Sequence, residues 1–514
     1  MVNEMNENNL KTISGDHDDV READVDFALS VAGTGWYNIK YTLNLSLFLM
    51  AAVVEPVGFA FVLPSAKCDL NMSDTQRGFI ASIPYIGLVV TSFGWGYLVD
   101  TSGRKNVVIL SSFLAGILGI VSAFMPTLLT FALTKLMLSL CIAAPAAIPF
   151  TFIGEIMPQK NRDTAVSIAN GLQVSGAALV PLLAWLVLSY DFHLDFGSYY
   201  FTPWRLLTIV YALPFIISSV LMCFGPESPK YLLSKGRHDE SLQVLRTIYA
   251  ANYGKSPGDF PIKRLKMKNI EEQKPSFFKS LSIQSVPLLK PPYLKWIILN
   301  GILLFGVFAT VNGLNVWTPD ILNRVLTGDE EGKTACAIIS QKQNEKAHED
   351  TSECDNSIGT TTFVISSTAS TTCAVIGLIA SFAVKVIGKK FLLIFVYMTI
   401  GTFVLFINFV TQQILFAILL SSVALTGLAI GPINAFSVQI FPTHLRGMAV
   451  SLTMMIGRTG SVIGANVIGI LINGTCEVTF YAYGGMLIVC GLLSFILPKA
   501  KTAKKHKKIL LTKL

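Results

Sequence analysis

Apolar runs of about 20 residues, broken by short polar turns, recur along most of this chain. A run of that length crosses a ~30 Å hydrocarbon layer as a helix. Lipid offers no partner to an open backbone N–H or C=O, so the helix is the form such runs take. The pattern predicts twelve spans, near residues 42–64, 78–98, 106–125, 127–151, 165–188, 205–225, 296–317, 360–384, 391–409, 413–437, 447–472 and 479–497. The fold class expected is an all-α membrane protein with twelve transmembrane helices. Polar stretches divide the rest into an N-terminal tail (1–41), a central loop (226–295), an outer loop (318–359) and a basic tail (499–514).

Composition agrees. The 514 residues have a mean hydropathy of +0.57, and 14% are charged, against about 25% in soluble chains. The N-terminal tail is acidic and carries no cleavable signal peptide, so the first span is expected to act as the targeting signal and the tail to be disordered. Most of the 40 Lys and Arg fall in segments on the same face of the membrane as the N-terminal tail, which places both termini in the cytoplasm. Sequons at Asn71 and Asn473 then lie outside, where glycosylation occurs; a third, at Asn44, falls inside the first span and is a chance match. Cys68, Cys336, Cys354 and Cys476 also lie outside. Cys336–Cys354 and Cys68–Cys476 are the candidate bridges, with free thiols as the alternative. Cys141, Cys223, Cys373 and Cys490 lie within spans.

The chain repeats itself. "DTSGRK" at 100–105 matches "KVIGKK" at 385–390, aligning Gly103 with Gly388. "EIMPQKNR" at 155–162 matches "QIFPTHLR" at 439–446, aligning Arg162 with Arg446. Gly103 and Pro158 are 55 positions apart, Gly388 and Pro442 54. Both motifs fall after the second and fourth spans of each half, so two six-helix bundles related by duplication are expected.

These motifs resemble the major facilitator superfamily. "GYLVDTSGRK" (96–105) is similar to its signature between the second and third helices, and "PESPKYLL" (226–233) to a sugar-porter motif after the sixth. "FPTHLRGMAVSLTMMIGRTG" (441–460) with "VLPSAKCDLNMSD" (62–74) looks most like the branch of synaptic vesicle glycoprotein 2 and related proteins. The resemblance implies two bundles rocking about a midplane site, and a cytoplasmic gate of Asp100, Gly103, Arg104, Glu155, Arg162 and Arg446. Asp100 ends a helix, where the macrodipole disfavours an acid, so Arg104 or Arg162 is its expected partner. In the second copy Lys385 and Gln439 replace Asp100 and Glu155, which leaves the N-terminal cluster to carry more of the gate.

Charged side chains deep in a span are costly and mark a function or a partner. Glu55, Lys135 and Arg458 lie roughly 13–20 Å into their helices at ~1.5 Å per residue. Each is a candidate for solute binding or coupling, or a structural pair. Glu55 is also the candidate for coupling to protons, because a buried carboxyl holds its proton more tightly. Tyr85, Gln173, Asn312, Asn315 and Asn434 are the neutral candidates, with interhelical bonding the alternative for each. Pro56, Pro145, Pro149, Pro181 and Pro432 mark places where backbone opens onto a cavity or a helix kinks. "GLAIGPINAF" (427–436) is the most suggestive of these.

The sequence holds no nucleotide-binding glycine loop, metal cluster or catalytic triad that fits this topology. No cofactor and no enzymatic activity are expected, and the membrane setting disfavours nucleic acid. The basic tail is expected to meet anionic inner-leaflet lipids. The expected function is alternating-access transport of a small organic solute, by uniport or with protons, in the plasma membrane or a vesicle membrane. The alternative is a non-transporting vesicle-membrane regulator or receptor with the same fold.

Overall fold

The computed structural model describes residues 22–197, 199–266, 285–327, 333–348, 357–442, 445–472 and 474–498. It contains twelve helices long and apolar enough to cross a membrane. In order they are Trp36–Ala66, Asp74–Ser102, Arg104–Ser122, Leu128–Ile156, Gln159–Leu188, Pro203–Cys223, Leu294–Leu326, Thr360–Ala380, Lys389–Phe409, Gln413–Ser437, Arg446–Leu471 and Cys476–Ser494. Each falls on an expected run.

Several helices outrun the apolar stretch because their polar ends are capped or paired. Ser73 and Gln76 form a reciprocal capping box at the start of the second span, and Thr127 with Thr130 does so for the fourth; each satisfies backbone donors left open at a helix start. The seventh span runs to Leu326, nine residues past the expected 317, and carries Asp320 and Arg324 on its last turns.

Packing repeats with a period of six helices. In the first half, span 1 packs on spans 5 and 6, span 3 on span 6, and span 2 on span 4; in the second, span 7 packs on spans 11 and 12, and span 9 on span 12. The halves meet where span 2 touches span 11, span 5 touches span 8, and span 1 touches span 7. Those contacts map onto themselves when the halves are exchanged, as duplicated bundles require.

The repeated turns are alike in detail. Gly103 and Gly388 end spans 2 and 8 with φ of +100° and +90°, a region that residues with a Cβ rarely occupy. The basic residue two positions on then caps the last helix of its own bundle. Lys105 Nζ donates to Cys223 O at 3.0 Å, and Lys390 Nζ to Phe495 O at 2.7 Å and Leu497 O at 2.6 Å. A cation at a helix C-terminus satisfies free carbonyls and complements the macrodipole.

Three expectations are corrected. The N-terminal segment, expected to be disordered, is ordered from residue 22: Glu22–Ala23 pairs in parallel with Arg264–Leu265. The helix Val25–Ala32 follows and joins the apolar cluster of the helix His238–Tyr253. Acidic residues dominate the tail's composition, but Ala28, Leu29 and Ala32 recur at helical spacing and are buried. The cysteine pairing also differs. Cys336 is bonded to Cys476, with Cα atoms 5.5 Å apart, not to Cys354; Cys68 is bonded too, but not to Cys476, and its partner lies outside the described residues. Tertiary packing decides this pairing: the helix Ala335–His348 docks against the twelfth span. Finally, the prolines do not break their spans. Pro56, Pro145, Pro149 and Pro181 lie inside continuous helices. Around "GLAIGPINAF" the tenth span tightens into a 3-10 stretch, Ser422–Ala429, and Pro432 sits in the α-helix after it. Asn71 is exposed; Asn473 lies outside the described residues.

A Cβ at Gly103 would meet the Glu227 carboxylate, whereas one at Gly388 would meet nothing within 4 Å. Gly388→Ala is therefore expected to cost only the backbone strain, about 1–3 kcal/mol, and Gly103→Ala more. Thermal unfolding in one detergent checks the ranking; equal losses would contradict it.

Candidate functional site

Between the bundles lies a cavity of about 60 Å³, bordered by spans 1, 2, 5, 7, 8 and 10. Its polar lining is Tyr85, Asn315, Thr318, Ser366, Ser370, Cys373 and Ser421, and no charged side chain lines it. The hydroxyls of Thr318, Ser366 and Ser421 are buried without a hydrogen-bond partner. A buried unpaired polar group costs about 1–3 kcal/mol, so three around one cavity call for water or a ligand.

Of the eight expected solute or coupling residues, Tyr85 and Asn315 reach this cavity. Asn312 donates to Ser461 Oγ at 3.0 Å and joins spans 7 and 11. Asn434 contacts the sulfur of Met454 at 3.7 Å while its Oδ1 stays buried and unpartnered. Gln173 is half-buried on the fifth span and outside the cavity lining. Arg458 crosses between bundles, donating to Ser92 Oγ at 2.7 Å and Leu88 O at 3.4 Å on span 2.

Glu55 and Lys135 form a buried ion pair inside the first bundle, with Nζ to Oε1 at 2.6 Å. Their side chains are 1% and 5% exposed. The ammonium also lies 5.0 Å from the Phe59 ring centre, where the ring face attracts a cation. Glu55 Oε2 is left buried without a partner.

Most of the hydroxyl lining lies outside the residues that charge, amide groups and prolines mark in the sequence. Its signal was the run "TTTFVISSTASTTCAV" (360–375) in the eighth span, which small hydroxyl residues leave apolar enough to cross.

At the end of the bundles carrying the central loop, the expected gate residues make a network within the first half. Arg104 binds Glu155 with Nε and Nη2 at 3.1–3.3 Å and stacks on Tyr231, ring centre at 5.0 Å. Asp100 lies 3.6 Å from Arg104. Arg162 pairs not with Asp100 but with Asp26 at 2.9 Å, and Lys230 reaches the same oxygen at 2.5 Å. Arg446 begins span 11 in the other half, with its Nε buried and unpartnered. Glu227, inside a recognised motif but given no role there, caps the third span by accepting the backbone N–H groups of Arg104 and Lys105 at 3.2 and 3.1 Å. Burial pushes the Glu227 carboxyl above its ordinary range, opposed by those N–H donors and by Arg104. Burial also acts upward on Asp26, but Lys230 and Arg162 outweigh it and hold that carboxyl below its ordinary 3.8.

At the opposite end four further charges alternate in sign around a ring. Asp74 bonds Arg77 at 3.0 Å and Arg324 at 3.1 Å. Asp320 Oδ2 lies 2.9 Å from Arg324 and 3.4 Å from Arg77. Lys67 adds a contact to Asp74 at 3.2 Å. The i,i+3 and i,i+4 spacings of these residues were a sign of helical charge pairing.

The comparisons with known proteins fit this architecture. The model of the Major Facilitator Superfamily matches residues 43–338 and 354–512, and the chain belongs to that family. Within it the chain is similar to synaptic vesicle glycoprotein 2C of Rattus norvegicus, 29% identical over 321 residues, or 58% of this chain and 44% of the relative. Synaptic vesicle glycoprotein 2A of Homo sapiens is 26% identical over 329 residues, 60% of this chain and 44% of the relative. The chain thus spans less than half the length of these relatives. Among solved structures, the D-xylose-proton symporter matches with a TM-score of 0.65 at 14% identity, covering 92% of this chain and 100% of that one. The inward open xylose transporter XylE from E. coli gives 0.66 at 16%, with the same coverage.

Removing one partner of a buried pair strands the other charge, at about 3–5 kcal/mol. Glu55→Leu and Lys135→Met are each expected to lower stability by that amount, and the double variant to recover most of it. A double-mutant cycle by thermal or denaturant unfolding measures the coupling; additive losses would show that the two charges are independent.

Proposed function

We propose that the chain is a secondary carrier that moves a small, uncharged, polar organic solute by alternating access. The observation that carries this reading is the cavity between the bundles, where three buried hydroxyls lack partners and no charged side chain intrudes. Such a lining favours a solute with hydroxyl or amide groups and an apolar face, and disfavours an ion. The chemistry is binding and release, with no bond made or broken.

Orientation follows from charge and sulfur. The face carrying the basic central loop is cytoplasmic; the disulfide Cys336–Cys476 lies on the other face, which suits an oxidising compartment. The termini are then cytoplasmic, in the plasma membrane or a vesicle membrane, and the basic C-terminal tail meets anionic lipid. The Arg104–Glu155 network is the cytoplasmic gate, and in this conformation it holds only the first bundle together.

The outer ends of spans 2 and 11 are in close contact. A Cβ at Gly78 would lie 2.8 Å from Ala465 O, and one at Gly469 2.7 Å from Asp74 O. Toward the cytoplasmic end Gly94, Gly96 and Gly447 have nothing within 4 Å of a built Cβ. The conformation is therefore closed outside and splayed inside, and at about 60 Å³ the cavity holds a few waters rather than a solute. Glu55, paired with Lys135 beside this path, is the proton-coupling group.

The second reading is a regulator or receptor that does not transport, favoured by the similarity to the synaptic vesicle glycoproteins. Flux into liposomes containing the purified full chain separates the two. Transport of at least one neutral polar solute from a broad panel is expected, and no flux would favour the regulator. Ser366→Ala and Thr318→Val are each expected to raise KM about 2–10-fold, the worth of one hydrogen bond, with little change in Vmax. Glu55→Gln is expected to abolish pH dependence of the flux; a pH-dependent flux surviving that change intact would remove the coupling role.

A further inference from the structure

We infer that the ring of Asp74, Arg77, Asp320 and Arg324 is the latch that holds the outer face shut, and that opening the carrier outward requires breaking it. This rests on the alternating-access reading, but it concerns different residues from those that would touch the solute.

The ring joins the two halves. Asp74 and Arg77 stand on the first turn of span 2, Asp320 and Arg324 on the last turns of span 7. Two of its four links cross between bundles: Asp74–Arg324 at 3.1 Å and Arg77–Asp320 at 3.4 Å. The other two hold each acid beside a base of its own helix. Separation would therefore leave each helix with a neutral pair, not a stranded charge. A latch must have that property if it is to open repeatedly, because an unpaired buried charge is costly. The ring is drier on the side of span 2: the Asp320 and Arg324 side chains are 12% and 21% exposed, Asp74 6% and Arg77 3%. The Arg77 guanidinium also stacks on Trp317, 4.5 Å from the ring centre, and Trp317 donates to Ala465 O at 3.2 Å. The latch thus ties span 2 to span 7 and, through Trp317, to span 11.

Two further observations point to the same movement. The glycine contacts between spans 2 and 11 lie beside the ring, so closure there is steric as well as ionic. Span 7 is interrupted just below the ring by a π-helical turn, Ala309–Leu314, before the α-helix resumes at Asn315. Such turns are weak points in a helix, and this one gives the segment 315–326 a place to bend away.

The test reads conformation without requiring transport. In the full chain, the free cysteines Cys141, Cys223, Cys373 and Cys490 are replaced by serine. Spin labels are placed at Leu129 and Val478, exposed positions at the outer ends of spans 4 and 12. Double electron–electron resonance then gives the distance between bundles. The parent is expected to show mainly the short, closed distance. Asp320→Asn, which keeps the side-chain shape, and Arg324→Gln, which removes the charge, are each expected to raise the long-to-short ratio by about tenfold, the shift that 1.4 kcal/mol of lost closure produces. A fivefold exchange that reverses every sign, including the lysine beside Asp74, and keeps the alternation (Lys67→Glu, Asp74→Arg, Arg77→Asp, Asp320→Arg, Arg324→Asp) is expected to return toward the parent. Monodisperse single variants with the parent's distance distribution would overturn the latch. Variants that open while the liposomes show no flux would leave the latch standing and remove the transport reading; normal flux with unchanged distances would do the reverse.

Discussion

The structure depends on one constraint: a polar group inside hydrocarbon must find a partner or water. The apolar spans satisfy their backbones internally, so they form whatever the rest of the chain does. The charged and hydroxyl side chains they carry cannot, so their partners have to come from neighbouring helices or from water. Glu55 meets Lys135, and Arg458 meets Ser92 and a backbone carbonyl. Three hydroxyls left without a partner, those of Thr318, Ser366 and Ser421, border one cavity between the halves.

Duplication gives that constraint a geometry. Because the halves pack alike, their contacts fall on span pairs 2–11, 5–8 and 1–7. The repeat is not symmetric in charge, however. The turn at Gly103 gathers Arg104, Glu155, Glu227, Ser228 and Tyr231 into one network, while the turn at Gly388 keeps the glycine and the capping lysine but has no acid at the equivalent places. The backbone device is shared by both copies, and the ionic device belongs to the first. The ordered N-terminal segment strengthens that asymmetry: Asp26 draws in Arg162 and Lys230, and Asn252 bonds the backbone of Ala32 and Gly33 and the side chain of Asn38.

The two ends of the molecule use charge differently. Near the central loop, ion pairs knit one bundle to its own connecting segment. At the far end, a ring of four charges spans two bundles with each acid already beside a base of its own helix. The first arrangement stiffens one body; the second joins two. Between them the glycines of spans 2 and 11 let backbones touch at one end and leave space at the other.

The sequence by itself determined the number of spans, their order and the existence of two related halves, because those follow from local apolar length and from motifs at matched spacing. It also marked Glu55, Lys135 and Arg458 as costly, since a charge among apolar neighbours is visible without a structure. Tertiary structure alone decided which of these pair, because Glu55 and Lys135 are 80 positions apart and meet only when spans 1 and 4 pack. It likewise gave Arg162 to Asp26 rather than Asp100, bonded Cys336 to Cys476 rather than to its neighbour in sequence, and turned the hydroxyls of span 8 toward a cavity. Hydropathy registers what each segment prefers as a solvent, and partner choice is a property of surfaces that exist only after the segments have packed.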